Sequence, residues 1–502
     1  MEVCVYYKKN VYICNFKNFA EMNIKLEKIN YSALDCSVVF LYGSEVASRI
    51  LPFKKEELAY VEKRRKEDAA SLVVLNRLPY KIYVQNFDSE LPNAESLEAL
   101  RRAAAKLQLI LMESKESRVA LGGEGIIPEE AVAFLEGLHM ANYRFEKYKT
   151  TKSTLLTEVT LERHIVDQEV LDENVKLWRR IDKLRDWVNE PVMYLNAPLF
   201  ADMLKEEAER VGGVKCTVMG QKKIESLKMG GLLAVNRGSE DEARFVVMEY
   251  KPSDRINNRP VALVGKGVMY DTGGLNIKPD DFMLEMKSDM AGAATMASVL
   301  LAAAENKLPV WIMAFLPLTD NRPGKNAYAA DDILTMYDGT TVEITNTDAE
   351  GRLILADAIA YADKENPELI IDAATLTGAA VRALGTSVIA AMQQNADGPF
   401  NLLQIVGGQV YERLAPLPFW KEYDEYLKSE VADMINCNLQ KNAGTITAGR
   451  FLAHFAHHPY IHLDIAGVAF YSKRETFYGC GASGFGLRLL YAFFQTYEAL
   501  KK

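Results

Sequence analysis

Acidic and basic side chains concentrate in two segments of the chain. Residues 346–352 read Asn-Thr-Asp-Ala-Glu-Gly-Arg and lie just before an apolar helical run. Residues 265–289 begin with a glycine-rich stretch and contribute further acids and lysines. The ionisable side chains that could share one site are Lys266, Asp271, Lys278, Asp289, Asp348, Glu350 and Arg352. Such a set of acids and cations is typical of a metal centre with acid–base chemistry.

Four clustered carboxylates cannot all remain ionised without cations, because like charges raise one another's pKa and oppose burial. Divalent metals are the usual remedy, and two dications balance four carboxylates. Any lysine that coordinates a metal must then be neutral. Lys266 fits this role because it closely follows the apolar run 261–264, and burial beside cations lowers a lysine pKa. Lys278 lies outside that run and is expected to keep its charge.

Each segment also has a purely structural interpretation. Thr347 to Glu350 fits the helix capping box S/T-x-x-E, and the glycines around Lys266 are compatible with a tight strand exit or an anion cradle, although the Walker order is missing. Asp348 and Glu350, however, are two residues apart and would point to different faces of a regular helix. Both can therefore serve one site only from an irregular helix entrance.

Several segments together resemble the signature of the leucyl aminopeptidase family, also called cytosol aminopeptidases, which are two-metal exopeptidases. The matching segments are residues 229–235, 264–274, 286–289, 346–353, 374–379 and 462–467. The resemblance covers most of the chain from about residue 184 onward, whereas the first third matches loosely. It implies a dinuclear-metal aminopeptidase that removes N-terminal residues, with Leu-like side chains preferred, from peptides with a free α-amine by means of metal-activated water.

The resemblance also implies a role for each residue of the site. The tighter metal would be held by Lys266, Asp271, Asp289 and Glu350. Two of these ligands, Asp271 and Glu350, would bridge to a looser metal that Asp348 completes. The expected metals are zinc or manganese, two per chain.

The remaining implied roles concern catalysis and the substrate. Lys278 would polarise the scissile carbonyl, and Arg352 would hold a bicarbonate ion that acts as a proton shuttle. Met286, Thr375 and Gly378 would form the wall of the pocket for the first side chain. The family resemblance further implies a homohexamer.

Two other functions remain open at this stage. The same acids and Lys278 could serve a two-metal phosphoesterase, because clustered carboxylates also position metals for displacement at phosphorus. Some relatives of the family have a non-enzymatic DNA-binding role. The net charge of −9 does not favour nucleic acid as a partner.

Composition predicts a globular protein of the cytoplasm. The chain has 502 residues, 49% of them hydrophobic, which is enough for large cores in two or three domains. Its six cysteines include no C-x-x-C pair, and the N-terminus lacks a basic and apolar leader. The longest apolar stretches, residues 291–304 and 308–318, are too short to span a bilayer.

Alternating helical and strand-like patterns predict an α/β fold with two domains. We expect a smaller N-terminal α/β domain over residues 1–166, a long connecting helix over 167–190, and a larger C-terminal catalytic domain over 191–502. Continuous Val/Ile/Leu-rich runs in the last part predict a central, mostly parallel mixed sheet. We expect Lys266 and Asp271 to follow one such strand and residues 372–378 to follow another, which suits a site at the carboxyl edge of the sheet.

Overall fold

Strands and helices alternate along the chain, which confirms the α/β prediction. The computed structural model describes residues 5–7, 11–13, 22–31, 33–43, 53–87, 93–440, 442–473 and 477–501. The chain divides into two compact units, one of residues 14–182 and 473–479 and the other of residues 1–13, 183–472 and 480–502.

The strands follow one another in chain order. They are β1 (Val5–Tyr7), β2 (Val11–Ile13), β3 (Asn23–Glu27), β4 (Ser37–Tyr42), β5 (Leu72–Asn76), β6 (Lys81–Asn86), β7 (Arg118–Glu124), β8 (Glu158–Glu162), β9 (Val214–Met219), β10 (Arg244–Tyr250), β11 (Val261–Gly265), β12 (Gly267–Asp271), β13 (Ile312–Asn321), β14 (Ile333–Thr335), β15 (Thr341–Glu343), β16 (Leu369–Ala374), β17 (Ile389–Gln394), β18 (Leu414–Pro416), β19 (Met434–Ile435), β20 (Tyr460–Asp464), β21 (Phe470–Tyr471) and β22 (Gly481–Ala482).

The α-helices occupy the segments between them. They are α1 (Lys55–Glu67), α2 (Ala94–Glu113), α3 (Pro128–Asn142), α4 (Gln168–Asn189), α5 (Ala197–Val211), α6 (Gln221–Leu227), α7 (Gly230–Asn236), α8 (Asp280–Met283), α9 (Ala291–Glu305), α10 (Glu350–Asp363), α11 (Gly378–Leu384), α12 (Asp397–Gln409), α13 (Gly444–Ala453) and α14 (Leu487–Gln495). Short 3-10 helices span Met286–Met290, Lys421–Leu427 and Tyr497–Lys501.

The unit that contains residues 14–182 is built on a six-stranded sheet. Its strand order is β3-β8-β7-β4-β6-β5, and every neighbouring pair is parallel except the edge pair β5 and β6. All six residues of β4 are buried in the middle of this sheet, as its continuous apolar sequence predicts.

The other unit contains a nine-stranded mixed sheet. The main order is β18-β17-β20-β16-β11-β13-β10-β9, and β12 pairs with β13 off this path. The central strands β20, β16, β11 and β13 run parallel to one another. Both α9 and α10 pack against β11 and β13, whose residues are all buried. The apolar runs are therefore covered on both faces, and the carboxyl ends of the parallel strands meet at one edge.

Strand β12 is an element that the sequence pattern did not predict. We expected Lys266 and Asp271 to follow a single strand, but Lys266 lies between β11 and β12, and Asp271 is the last residue of β12. β12 continues along β13 in the register of β11, since Val264 pairs with Phe315 and Gly267 pairs with Leu318. The break between the two strands places the Lys266 side chain at the sheet edge.

A buried carboxylate on α10 accepts hydrogen bonds from two other segments of the chain. Asp357 on α10 accepts hydrogen bonds from the backbone N–H groups of Leu232 (2.9 Å) and Tyr337 (2.8 Å). Burial raises the pKa of Asp357 to about 7, although these donors act in the opposite direction. The segment 229–235 is thereby held against α10, the helix that carries Glu350 and Arg352.

The long helix predicted over residues 167–190 is present as α4. Its role as a connector, and the domain boundaries at 166 and 190, stay predictions. None of the helices in the described part of the chain combines the length and the apolarity that a bilayer-spanning segment needs.

Candidate metal centre and substrate cleft

Four separate segments bring the predicted ligands together. Lys266 follows β11, Asp271 ends β12, and Asp289 lies in the 3-10 helix that precedes α9. Asp348 and Glu350 stand at the entrance of α10. Each segment begins or ends at the carboxyl edge of the central sheet, so residues far apart in sequence meet in one place.

Lys266 lies at the buried side of this cluster. Its Nζ is 2.7 Å from Asp289 Oδ1 and 3.0 Å from Glu350 Oε1, and it donates a hydrogen bond of 2.9 Å to the carbonyl oxygen of Thr375. The Thr375 hydroxyl in turn donates to Asp289 Oδ1 at 2.8 Å. Thr375 therefore contacts Asp289 and Lys266.

Lys278 joins the other two acids at the more open side. Its Nζ is 2.7 Å from Asp271 Oδ2 and 2.5 Å from Asp348 Oδ1. The Asp348 side chain is 31% exposed, whereas that of Asp271 is 3% exposed. Asp348 is thus the acid of the cluster that solvent reaches most easily.

Burial and the mutual repulsion of its acids disfavour the ionised carboxylates of the cluster. Burial raises the pKa of Asp289 well above its ordinary value, and repulsion from Glu350 adds to this effect. Burial and the charge of Asp271 likewise raise the pKa of Asp348 to about 7. Burial alone would lower the pKa of Lys266, but attraction to Asp289 and Glu350 raises it. Two lysines against four acids leave the cluster short of positive charge.

The donor set fits divalent metals. Carboxylate oxygens of Asp271, Asp348 and Glu350 lie within 4.8 Å of one another. Asp289 Oδ2 and Glu350 Oε2 are buried and accept no hydrogen bond from any residue that the structure describes. Buried anionic oxygens without a donor are costly, and a coordinated cation satisfies them. Oxygen ligands with one amine nitrogen suit zinc or manganese.

Neutral side chains that the sequence analysis missed fasten the ligand loops to one another. Asn321, at the end of β13, donates through Nδ2 to Asp271 Oδ1 (2.8 Å) and to the carbonyl oxygen of Thr347 (3.1 Å). Asn276 accepts from the Thr347 backbone at 2.8 Å, and its own N–H donates to Thr347 Oγ1 at 2.8 Å. The sequence signal for Asn321 was its place at the end of an apolar strand.

The capping-box interpretation of residues 347–350 is wrong. Helix α10 begins at Glu350 with Ala349 at its N-cap, and no side chain caps it. The Thr347 hydroxyl instead donates to the carbonyl oxygen of Gly273 at 2.6 Å. Gly273 has a φ of 86°, and a Cβ on it would lie 2.9 Å from Asp348 Oδ1. A glycine is therefore required where the two loops approach each other.

A cleft of about 600 Å³ opens beside the cluster. Its wall includes Lys278, Asp348 and Arg352. Arg352 is buried, donates through Nη1 to the carbonyl oxygen of Asn436 at 2.8 Å, and has an Nε without a partner among the described residues. Gly378 also lines the cleft.

The three residues predicted for the first side-chain pocket do not share the wall of this cleft. Gly378 belongs to it, but Met286 and Thr375 do not. Met286 begins the 3-10 helix that carries Asp289, and Thr375 contacts Asp289. Their common pocket stays a prediction.

The comparisons with known proteins agree with the geometry. The model of the cytosol aminopeptidase family, catalytic domain, matches residues 183–491. A probable cytosol aminopeptidase of Chlorobium limicola is 39% identical over 456 residues, which cover 85% of this chain and 89% of that protein.

Solved structures show the same fold. The bottromycin maturation enzyme BotP, solved in complex with Mn, is 31% identical, and the match covers 92% of this chain and 99% of that one with a TM-score of 0.80. The apo leucyl aminopeptidase from Trypanosoma cruzi is 26% identical, covers 95% and 97% of the two chains, and has a TM-score of 0.82. Neither a phosphoesterase nor a DNA-binding role is favoured by these matches. The chain belongs to the cytosol aminopeptidase family and is a peptidase that acts on the amino terminus of its substrates.

Proposed function

We propose that this aminopeptidase removes one residue at a time, Leu-like side chains preferred, from peptides with a free α-amine, and that it works with two divalent metals. The observation that supports this proposal most directly is the cluster of Asp271, Asp348 and Glu350 with mutual oxygen distances below 4.8 Å. The buried oxygens of Asp289 and Glu350 that lack donors add to it.

The proposed metal roles are those that the family resemblance implies, and the closeness of the acids supports them. Lys266, Asp271, Asp289 and Glu350 are the proposed ligands of the tighter metal. Asp271 and Glu350 also face Asp348, with which they would hold the looser metal. When bound, two such metals supply Lewis acidity and lower the pKa of water from about 16 to about 7. Zinc and manganese are the proposed metals.

We propose that Lys278 polarises the scissile carbonyl. Its raised pKa, which attraction to Asp271 maintains against burial, keeps the amine protonated. A protonated amine on the cleft wall can donate a hydrogen bond to the scissile carbonyl and stabilise the negative charge that develops on its oxygen.

Arg352 is the proposed holder of a bicarbonate ion that shuttles protons. Its side chain is buried beside the cleft, and its Nε has no partner among the described residues. A guanidinium with a free N–H can bind a planar oxyanion through charge-assisted hydrogen bonds. We also propose that the chain assembles as a homohexamer, as the family resemblance implies. Its cysteine usage supports the proposal that it works in the reducing cytoplasm.

The activity is tested with a pair of substrates. We expect rapid hydrolysis of Leu-p-nitroanilide and none of its N-acetyl form, because the proposed site requires the free α-amine. Asp or Glu at the first position should be cleaved poorly, since an unpaired charge is costly to bury. Release of p-nitroaniline is the measurement, with p-nitrophenyl phosphate as the control substrate. Equal cleavage of the blocked form would contradict the exopeptidase proposal, and turnover of the phosphoester alone would indicate a phosphoesterase.

Direct ligation by Lys266 is tested by Lys266→Arg. A guanidinium cannot lose its proton, so we expect metal affinity to fall at least about tenfold and activity to fall with it. In the unmodified enzyme, metal occupancy should decline as pH is lowered, because protons compete for the amine and the carboxylates. Elemental analysis after dialysis measures both effects.

The same experiment needs a second variant, because Lys266 is tightly packed. A Cβ on Gly351 would lie 2.4 Å from Lys266 Cε, so a larger side chain disturbs this region. Lys266→Met has a similar length and no charge, and it should also lose metal. Normal metal affinity in either variant with a folded circular dichroism spectrum would rule out direct ligation.

A further inference from the structure

Arg382 lies on the wall of the 600 Å³ cleft, one turn after Gly378 on α11. Its Nη1 is 3.3 Å from the position that a Cβ on Gly378 would occupy, so the side chain folds back along the helix toward the start of α11. Within the described part of the chain, no carboxylate or carbonyl oxygen accepts a hydrogen bond from this guanidinium. Its five donors are available to a ligand.

The other two cations of the cleft wall, Lys278 and Arg352, each have at least one partner. Lys278 forms ion pairs with Asp271 and Asp348, and Arg352 donates to the carbonyl oxygen of Asn436. Among the described residues that line the cleft, Asp348 is the one that carries a carboxylate. The wall therefore carries more positive than negative charge, and neither Arg352 nor Arg382 pairs with a carboxylate among the described residues. Arg352 is the proposed holder of bicarbonate, so Arg382 is the cation that is left for a group of the substrate.

The position of Arg382 indicates which part of a peptide it meets. The cleft wall includes Gly378 but not Met286 or Thr375, the other residues proposed for the first side chain. The cleft extends instead past Asn346, Ala349 and Leu376. A peptide whose scissile carbonyl lies beside Lys278 would place its next residue in this space.

We infer that Arg382 binds a carboxylate on the residue that follows the scissile bond, so that the enzyme favours substrates with a negative charge at that position. This inference rests on the proposed aminopeptidase function of the same site. The carboxylate has two chemical sources, the α-carboxylate of a dipeptide and the side chain of Asp or Glu in a longer peptide.

The expected effect is moderate because Arg382 is exposed to solvent. A guanidinium can hold a carboxylate through two parallel hydrogen bonds, but water and salt weaken an exposed pair, which gives a preference of about 2- to 5-fold. The contact lies away from the reacting carbonyl, so it should act on KM more than on kcat. High salt should weaken the preference, because the screening length falls from about 10 Å at 0.1 M to about 3 Å at 1 M.

Two substrate pairs test the inference and separate the sources. Leu-Gly against Leu-Gly-amide isolates the α-carboxylate, and Leu-Glu-amide against Leu-Gln-amide isolates the acidic side chain. In the metal-loaded enzyme, at least one charged substrate should have the higher kcat/KM. The ratio of kcat/KM for the charged substrate to kcat/KM for its neutral counterpart should fall to about one in Arg382→Gln. Arg382→Lys should restore part of this preference.

The matched control is Arg237→Gln, which removes another exposed arginine that does not line the cleft. This variant should keep the ratios of the unmodified enzyme. No preference for either charged substrate, or a preference that persists in Arg382→Gln, would overturn the inference. Failure to cleave any Leu substrate, Leu-p-nitroanilide included, would instead overturn the proposed function. In that case, calorimetry can still measure the binding of the same substrate pairs to the unmodified protein and to Arg382→Gln, and the difference decides the role of Arg382.

Discussion

Replacement of Glu350 by Gln is expected to remove both metals and nearly all activity. The residue is buried at the entrance of α10, with Oε1 3.0 Å from Lys266 and Oε2 without a donor among the described residues. The charge of Lys266 holds the pKa of Glu350 below its usual value against the effect of burial, so the carboxylate is ionised. An amide has nearly the same shape but cannot bridge two cations with full negative charge.

The measurement is elemental analysis of the dialysed protein together with Leu-p-nitroanilide hydrolysis. Asp348→Asn should chiefly weaken one metal, because Asp348 is the more exposed ligand and is assigned to the looser site alone. Glu365→Gln, which changes an exposed acid shortly after α10, should change neither quantity. Two metals per chain at full occupancy with normal turnover in Glu350→Gln would defeat the bridging role.

The cluster itself could be predicted from sequence because its chemistry is local. Asp348 and Glu350 lie two residues apart before an apolar run, and the requirement for an irregular helix entrance followed from that spacing. The structure has this irregularity, since Ala349 is at the N-cap with a φ of −114°. The apolar runs of β11 and β16 likewise predicted strands that are buried on both faces.

Contacts between distant loops could not be predicted in the same way. Asn321 is a single amide at the end of a strand, and nothing in its neighbourhood shows that it reaches Asp271 and Thr347. Thr347 fitted a capping box, but a tertiary hydrogen bond to Gly273 took its hydroxyl. Arg382 was also missed, because a short helix has no periodicity that shows which side chain faces a cleft.

These loop contacts explain how four segments can form one site. Asn321 and Asn276 both hold Thr347, so the loop that carries Asp271 and Lys278 is fixed to the loop that carries Asp348. Hydrogen bonds from outside the ligand set orient the ligands and reduce the entropy lost when a metal or substrate binds. The position of Lys278 therefore depends on neutral residues as well as on its own ion pairs.

Loss of Lys278 is expected to lower turnover by about 10²- to 10³-fold, the usual cost of one donor to a developing oxyanion. Lys278→Ala removes the amine from the cleft wall but leaves each proposed metal ligand in place. Metal content should stay the same or rise, because Asp271 and Asp348 lose a competing cation. The drop should appear in kcat, since the donor acts on charge that forms in the transition state.

The assay compares kcat for Leu-p-nitroanilide with metal content measured on the same preparation. Lys325→Ala removes an exposed lysine outside the cleft and should leave both values unchanged. Lys278→Arg should recover part of the turnover, because a guanidinium also donates a charged hydrogen bond but with a different geometry. If Lys278→Ala loses its metals, the residue acts in metal binding. If the variant keeps full turnover, the scissile carbonyl is polarised by other groups, and the role assigned to Lys278 is wrong.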